Sequence, residues 1–495
     1  MPNTPGFSAN PRHHMVEGTI RVFLGEMLAL PTGLLTAAYL TRKLAPEGYG
    51  LFTVSATLVA WIEWSIAAIF ARAAFKLIGQ ADDWRPIGAA LTRLHFALGG
   101  VTALALWVFA GPIAVLLKAP TMAGYLRLFA IDIPIFSLAQ AHRSILVGIG
   151  GFRERAMVTA VRWVSRLLFI VVLVQVGLSI SGAIVGSVGA SLIELATCRM
   201  YVRPSLFARI SFPSRQLWEY AAPLLLYAVS MRLLDKLDLF MLQGLRGRAS
   251  EAGIYGAAQN LTLVAGLFAL SFSPLLLSTL SRMVSAGKLG LARRTARDAL
   301  RVVIGMLPFA ALISGAAGEI AVSVFGGTFR AASTPLAILI IGSVSFLAIS
   351  VATAILTAAG KPRWTALITA PLVPASIAGN IWLIPKFGAL GASLVTTVSA
   401  TIGAVTAVAT LRRFWQMSIP TATLARSLLI SAGAYALGAA WPVSTLLLVT
   451  LKLSAIGVLI FFAFYALGEF SAAERDAARA LLRRQPALAS HPPPG

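Results

Sequence analysis

Four ionisable side chains, Arg232, Asp235, Lys236 and Asp238, crowd one short apolar stretch. On an α-helix, at about 100° per residue, Arg232, Asp235 and Lys236 lie within about 100° of one another, and Asp238 about 60° beyond Asp235. Such a stripe either neutralises itself, for instance through an i,i+3 pair of Arg232 with Asp235, or lines a polar cavity. Two cations and two anions cannot all pair well on one helix, which favours the cavity. A guanidinium forks onto phosphate oxygens and an ammonium acts as a point charge, so Arg232 and Lys236 suit an anionic substrate. Arg143, beside His142, and Arg21 and Arg72 stand at the ends of other apolar stretches. Facing a common cleft they would extend that binding site; the plainer reading of each is a base snorkelling to lipid head groups. The acids Glu26, Asp132, Asp235 and Asp238 are candidates for a coupling proton or sodium ion, because burial brings carboxylates closer to titrating at neutral pH. Glu63, Arg166, Glu194, Glu319 and Lys452 are further ionisable groups inside apolar stretches. Each is costly there unless it meets a partner, a bundle interior or water.

The elements that must position these groups are membrane spans. The 495-residue chain is 58% hydrophobic and 12% charged, with mean hydropathy +0.83. Soluble domains carry about 25% charged residues, so this chain cannot solvate a surface of its size. In lipid every backbone polar group must bond internally, which leaves helices or closed barrels. Barrel strands alternate apolar and polar residues, whereas here long apolar runs such as 302–325 and 446–467 approach the roughly 20 residues a spanning helix needs. About fourteen spans follow: 19–40, 51–71, 88–110, 122–143, 157–178, 181–200, 217–243, 254–281, 301–326, 335–359, 364–384, 389–411, 424–442 and 445–468.

The net charge of +23 is a topology signal, with no soluble domain to carry a nucleic-acid surface. With the N-terminus inside, Arg and Lys concentrate in the inside segments and their flanks, among them Arg143, Arg153, Arg155 and Arg162, then Arg282 to Arg301. The outside turns near Ser179 and Pro442 hold none. This is a sustained positive-inside bias, and it places both termini in the cytoplasm. Segments 283–300 and 469–485 are basic and amphipathic, suited to an anionic lipid surface. The lone Cys198 permits no internal disulfide. No residue cluster has metal-ligand spacing and no phosphate-binding lysine loop is present, so the sequence points to neither catalysis nor a cofactor.

Two halves repeat. Gly50 opens the second span and Gly253 the eighth, 203 residues on; Gly182 opens the sixth and Gly391 the twelfth, 209 on; Gly151 and Gly360 precede the fifth and eleventh, also 209 apart. An even number of spans per repeat gives two parallel six-helix lobes about an axis along the membrane normal, with a site between them. The organisation expected is a cytoplasmic segment 1–18, an N-lobe 19–200, a linker 201–216, a C-lobe 217–411, an extra helix pair 412–468 and a cytoplasmic tail 469–495.

TRKLAPEGYGLFTVSATL at 41–58, YAAPLLLYAVSMRLLDKLDLFMLQGL at 220–245 with EAGIYGAAQNL at 251–261, and Asn380 with LIPKFGALGASLVT at 383–396 resemble ordered motifs of the polysaccharide and O-antigen flippases. These belong to the multidrug/oligosaccharidyl-lipid/polysaccharide exporter superfamily. Ala45 stands where the motif has glycine before Pro46. The resemblance covers about 20–411. It implies a V-shaped pair of six-helix lobes in a bacterial inner membrane, alternating access, and a polyprenyl-pyrophosphate-linked oligosaccharide as cargo. A polysaccharide polymerase and a chain-length regulator are the implied partners, and Asp238 falls on the family's acidic position in span seven. A drug/cation antiporter or a peptidoglycan-precursor flippase of the same superfamily are the near alternatives, though Arg232, Lys236 and Arg143 suit a cationic drug poorly. A membrane-embedded polymerase would need a larger outside loop than any present.

Overall fold

The structure is a computed structural model that describes residues 25–81, 83–205, 236–418 and 420–470, with the side chains of 71–73, 75–76, 79–80, 263–271, 274 and 362 outside that description. The described residues contain helices and no strand. Helix α1 is Ala29–Gln80, followed by α2 (Arg85–Leu116), α3 (Met122–Ala130), α4 (Asp132–Gly148), α5 (Phe152–Leu173) and α6 (Ser179–Tyr201). In the second half come α7 (236–246), α8 (Ala249–Ser285), α9 (Leu289–Gly305), α10 (Leu307–Gly315), α11 (Ala317–Phe325), α12 (Ser333–Ala358), α13 (Pro362–Thr369), α14 (Leu372–Phe387) and α15 (Ala389–Trp415). The last two are α16 (Thr421–Ala440) and α17 (Leu446–Ala466).

Ten stretches among the described residues are long and apolar enough to cross a membrane. Two of them are double. Gly25–Phe70 folds back at Ala45, and Phe152–Tyr201 folds back at Gly177–Ser179. Counting each double stretch twice gives twelve of the fourteen spans read from the sequence; the 37-residue α8 covers the eighth, and most of the seventh, 217–243, lies outside the described residues. Side chains such as Val101, Leu429, Leu447 and Phe462 are largely exposed on the outer surface, as lipid-facing positions are. Proline sets the breaks within spans. Pro134 has no N–H for the carbonyl of Ala130, and the fourth span is interrupted at Ile131. That break puts Asp132 in the first turn of α4.

Ala45, the departure from the glycine motif, has φ 55° and ψ 175°, a region that is essentially glycine's alone. It is exposed, so its methyl contributes strain without packing. Ala45→Gly is expected to raise stability by about 1 kcal/mol, read as a higher melting temperature in detergent.

The internal repeat is written in the backbone. Ser179 (φ 50°, ψ −131°) and Gly388 (φ 56°, ψ −131°) begin α6 and α15 with the same turn, 209 residues apart. Gly150 and Gly360, 210 apart, both take positive φ, of 81° and 73°. This shifts by one residue the pairing of Gly151 with Gly360 read from the sequence. A Cβ on Gly50 would lie 1.7 Å from the carbonyl oxygen of Ala249, and one on Gly253 would lie 2.1 Å from that of Pro46. Positions 46 and 249, like 50 and 253, are 203 apart, so the two glycines face each other across a pseudo-two-fold.

Helices α1–α6 pack mainly on one another, and α8–α15 do likewise. The cores show how the two bundles meet. At the end bearing the Lys/Arg-poor turns, one continuous core holds Leu40, Tyr49, Phe52 and Ile133 together with Leu239, Tyr255, Phe325 and Phe329. At the opposite end each bundle has its own core, around Phe70, Leu91 and Leu146 in the first and around Leu280, Leu300 and Leu356 in the second. Among the described residues the bundles share one core at one end and keep separate cores at the other.

The pair α16–α17 packs on α9–α11. Gly315 lies against the carbonyl of Tyr435 and Gly438 against that of Leu312, the close backbone approach that small residues permit between membrane helices. Lys452 staples this contact. Its ammonium donates to Glu319 Oε1 at 2.8 Å and Oε2 at 3.0 Å, and to the carbonyls of Gly438 and Trp441 at the end of α16. Lys452→Met leaves Glu319 unpaired and should cost about 3 kcal/mol, while Lys452→Met with Glu319→Met should recover most of it. Thermal unfolding of the two variants in detergent distinguishes this from a packing effect alone. At the Lys/Arg-rich end, Glu469 accepts from Arg301, Thr423 and Arg426, tying α9 to α16 and to the end of α17. Basic α9 turns Ala292, Ala296 and Leu300 inward and Arg293, Arg294 and Arg297 outward.

Candidate functional site

Two buried polar sites lie beneath the joined end, one in each bundle. In the second bundle Asp238 of α7 is 6% exposed. Its carboxylate accepts from the hydroxyl of Tyr255, from Gln259 Nε2 at 3.1 Å, from Thr396 Oγ1 at 3.0 Å and from the backbone N–H of Leu239 at 2.8 Å. One carboxylate thereby ties together α7, α8 and α15. Among the described residues every contact donor is neutral, and Lys236 acts on the carboxylate electrostatically without touching it. Lys236 donates to Gln259 Oε1 at 3.4 Å, so both groups share one amide.

In the first bundle three arginines meet three acids. Glu194 of α6, fully buried, takes Arg143 at 2.9 Å and Arg162 at 3.2 Å. The two guanidiniums lie over the ring of Phe136, at 5.3 Å and 4.6 Å from its centroid. Arg143 also donates to Gln140. Arg166, one turn beyond Arg162, lies 5.8 Å from the Trp163 ring centroid. Glu63 of α1 and Asp132 of α4 are buried and act electrostatically on both Arg162 and Arg166. Glu63 Oε1, Asp132 Oδ1 and the Nε atoms of Arg143, Arg162 and Arg166 are buried without a hydrogen-bond partner among the described residues.

Across the joined end, Asn260 Nδ2 donates to the Tyr49 hydroxyl at 2.8 Å, and the Tyr49 ring stands edge-on to Phe329 at 5.8 Å. Arg42 donates to the carbonyl of Ser323 at 2.6 Å, Lys118 to that of Leu245 at 2.8 Å, and Gln243 to that of Leu117 at 3.0 Å.

Of the residues singled out from sequence, Arg21, Arg232 and Asp235 lie outside the described residues, as does the expected Arg232–Asp235 pair. Arg72 lies on α1, with its side chain outside the description. Lys236 and Asp238 come together in the second bundle, Arg143 and Asp132 in the first. Arg143 is locked onto Glu194 and Phe136 rather than standing free in a cleft. Glu26 pairs with Arg155 at 3.0 Å, half-exposed, and acts on Arg162 of the first-bundle cluster only through space. Sequence reasoning noted Glu63, Arg166 and Glu194 as intramembrane charges without assigning them to a site, and took Arg162 as a flanking base. The signal available was the i,i+4 spacing of Arg162 and Arg166 within one apolar stretch.

Two repeated helical bundles that share a core at one end, with buried charge in each, have the fold of the exporter superfamily of membrane transporters. Residues 15–283, more than half of the chain, match the family described as polysaccharide biosynthesis protein, and the chain belongs to that family. This bears out the resemblance drawn from 41–58, 220–261 and 380–396. The chain is similar to a probable flippase, AglR, of Haloferax volcanii, at 25% identity over 82% of this chain and 84% of that one. Its fold is that of the lipid II flippase MurJ in an inward closed conformation, with TM-score 0.72 at 15% identity over 94% of this chain and 100% of the other. It also matches a MOP superfamily transporter of Pyrococcus furiosus, with TM-score 0.58 at 14% identity over 82% and 96%.

Proposed function

We propose that this protein moves a polyprenyl-diphosphate-linked oligosaccharide from the inner to the outer leaflet of a bacterial inner membrane, by ion-coupled alternating access. In this reading both termini face the cytoplasm, and the cargo enters from that side. The observation that carries this is the core arrangement. A single core seals the Lys/Arg-poor end and two separate cores flank the Lys/Arg-rich end, which the positive-inside bias puts in the cytoplasm. The polar head enters between the bundles while the lipid tail stays in the bilayer, and breaking the seal exposes the head outside. The relative that bears the name flippase supports this class of cargo movement, and Lys236 supplies a cation of the sign a diphosphate needs.

Asp238 is the coupling carboxylate of this scheme. A proton or cation arriving there competes with the donors from α8 and α15 and so acts on three helices at once. The test is reconstitution in proteoliposomes with a fluorescent lipid-linked saccharide, read by accessibility of the label to an external quencher. The wild type should move the lipid faster than protein-free vesicles and faster still under an imposed ion gradient. Asp238→Asn should lose the gradient-driven component, by roughly 100-fold or more. A wild type that moves no lipid-linked saccharide sinks the reading; a gradient response that survives Asp238→Asn removes Asp238 from it.

A further inference from the structure

We propose that Arg162, Trp163 and Arg166 of α5 form the subsite for the glycosyl-diphosphate end of the cargo, the arginines taking phosphate oxygens and the indole the face of the first sugar; this rests on the flippase reading above. Arg162 and Arg166 are four residues apart and therefore share a helix face. The guanidinium carbon of each is 5.8 Å from the centroid of the Trp163 ring, so one aromatic ring lies beside both forked donors. Arg162 is held by a single carboxylate, Glu194, and Arg166 makes no ion pair among the described residues. The Nε of each is buried without a hydrogen-bond partner among them.

Nearby, Glu63 is 5% and Asp132 is 4% exposed, and each has a carboxylate oxygen in the same unpartnered state. They act on both arginines through space but contact neither. Had these four groups evolved only to neutralise one another, direct pairing would be the cheapest arrangement, since buried donors and acceptors left apart are costly. Held apart, the acids balance the charge of the arginines while the two Nε–H groups keep no partner among the described residues. A diphosphate offers several anionic oxygens to two guanidinium forks, the geometry in which arginine outperforms lysine.

The location also fits the seal. Arg166 acts electrostatically on Tyr49, whose hydroxyl accepts from Asn260 of the other bundle. An anion at Arg166 would therefore change the field at a contact that must break for the outer side to open.

The test uses the full-length protein in lipid nanodiscs titrated with inorganic pyrophosphate, by calorimetry and by intrinsic fluorescence. The expected result is a fluorescence change that W163F abolishes, with affinity falling roughly 100-fold in R162Q/R166Q, about tenfold for each charge-assisted pair. R162K/R166K keeps the charges without the forks and should lose roughly tenfold, which keeps the test decisive if the glutamine pair does not fold. Wild-type affinity in R162K/R166K, or a fluorescence change that persists in W163F, overturns the subsite. Transport of the lipid-linked saccharide by R162K/R166K with unchanged KM would also remove it while leaving translocation standing. Failure of the wild type to transport removes both.

Discussion

Gly253→Leu is expected to abolish transport while leaving the protein folded and inserted. Even a single Cβ at this position falls 2.1 Å from the carbonyl oxygen of Pro46, and the matching atom on Gly50 falls 1.7 Å from that of Ala249. Neither obstacle is the end of a flexible side chain. Both are backbone, at the point where α1 and α8 cross. A leucine there forces the bundles apart by several ångströms and breaks the adjacent bonds, Asn260 to Tyr49 and Lys118 to Leu245. Each bundle keeps its own core at the other end, so the cost falls on the sealed state and not on folding. An alternating-access cycle with one state raised by more than about 5.5 kcal/mol is held almost wholly in the other. A cysteine placed at Thr53, which lies against Gly256 in the seal, should be shielded from a membrane-impermeant maleimide in the parent. It should become reactive from outside in the Gly253→Leu variant. Normal transport with a shielded cysteine would show that the glycine contact is not part of the cycle. Gly253→Ala is the milder test and should slow transport without stopping it.

Glu194→Ala should be the most destabilising single change in the first bundle, by about 3–5 kcal/mol. The carboxylate is fully buried and is the shared counter-ion of Arg143 and Arg162, which arrive from α4 and α5. Its loss leaves two guanidiniums facing each other across Phe136 with no anion in contact. Such a group cannot shed its proton as a lysine would. The expected readout is a fall in the amount of protein recovered from the membrane and a lower melting temperature in detergent. Removing all three charges together, as Glu194→Leu with Arg143→Met and Arg162→Met, should restore stability, because a buried ion cluster exchanged for apolar residues of similar volume is often neutral or better. That triple variant should fold and fail to transport. A Glu194→Ala protein as stable as the parent would mean the arginines reach water or lipid head groups.

Much of the architecture was legible because a bilayer imposes simple rules on a chain. The ten apolar stretches among the described residues, two of them doubled back, follow from hydropathy, and proline and glycine marked the breaks. The oddity at Ala45 was visible as a missing glycine, and its φ of 55° shows why glycine suits that turn. The buried sites were legible only as residue types. Arg143 and Arg162 stand 51 and 32 residues before Glu194, the acid they share, and no periodicity links the three. Thr396 reaches Asp238 from a helix 158 positions away.

From its residues alone this protein had to be a helical membrane protein of two repeated halves, since apolar length, charge asymmetry and recurring glycines are one-dimensional properties. Tertiary structure decided which charges meet. Rotation of each helix about its axis is set by packing against neighbours, and that rotation locked Arg143 onto Glu194 while leaving Arg166 Nε without a partner among the described residues. It also decided that Gly50 and Gly253, corresponding points in the two halves, touch each other. Two parallel repeats can close at one end only along the axis that relates them, where each residue meets its own counterpart and a side chain on either has no room.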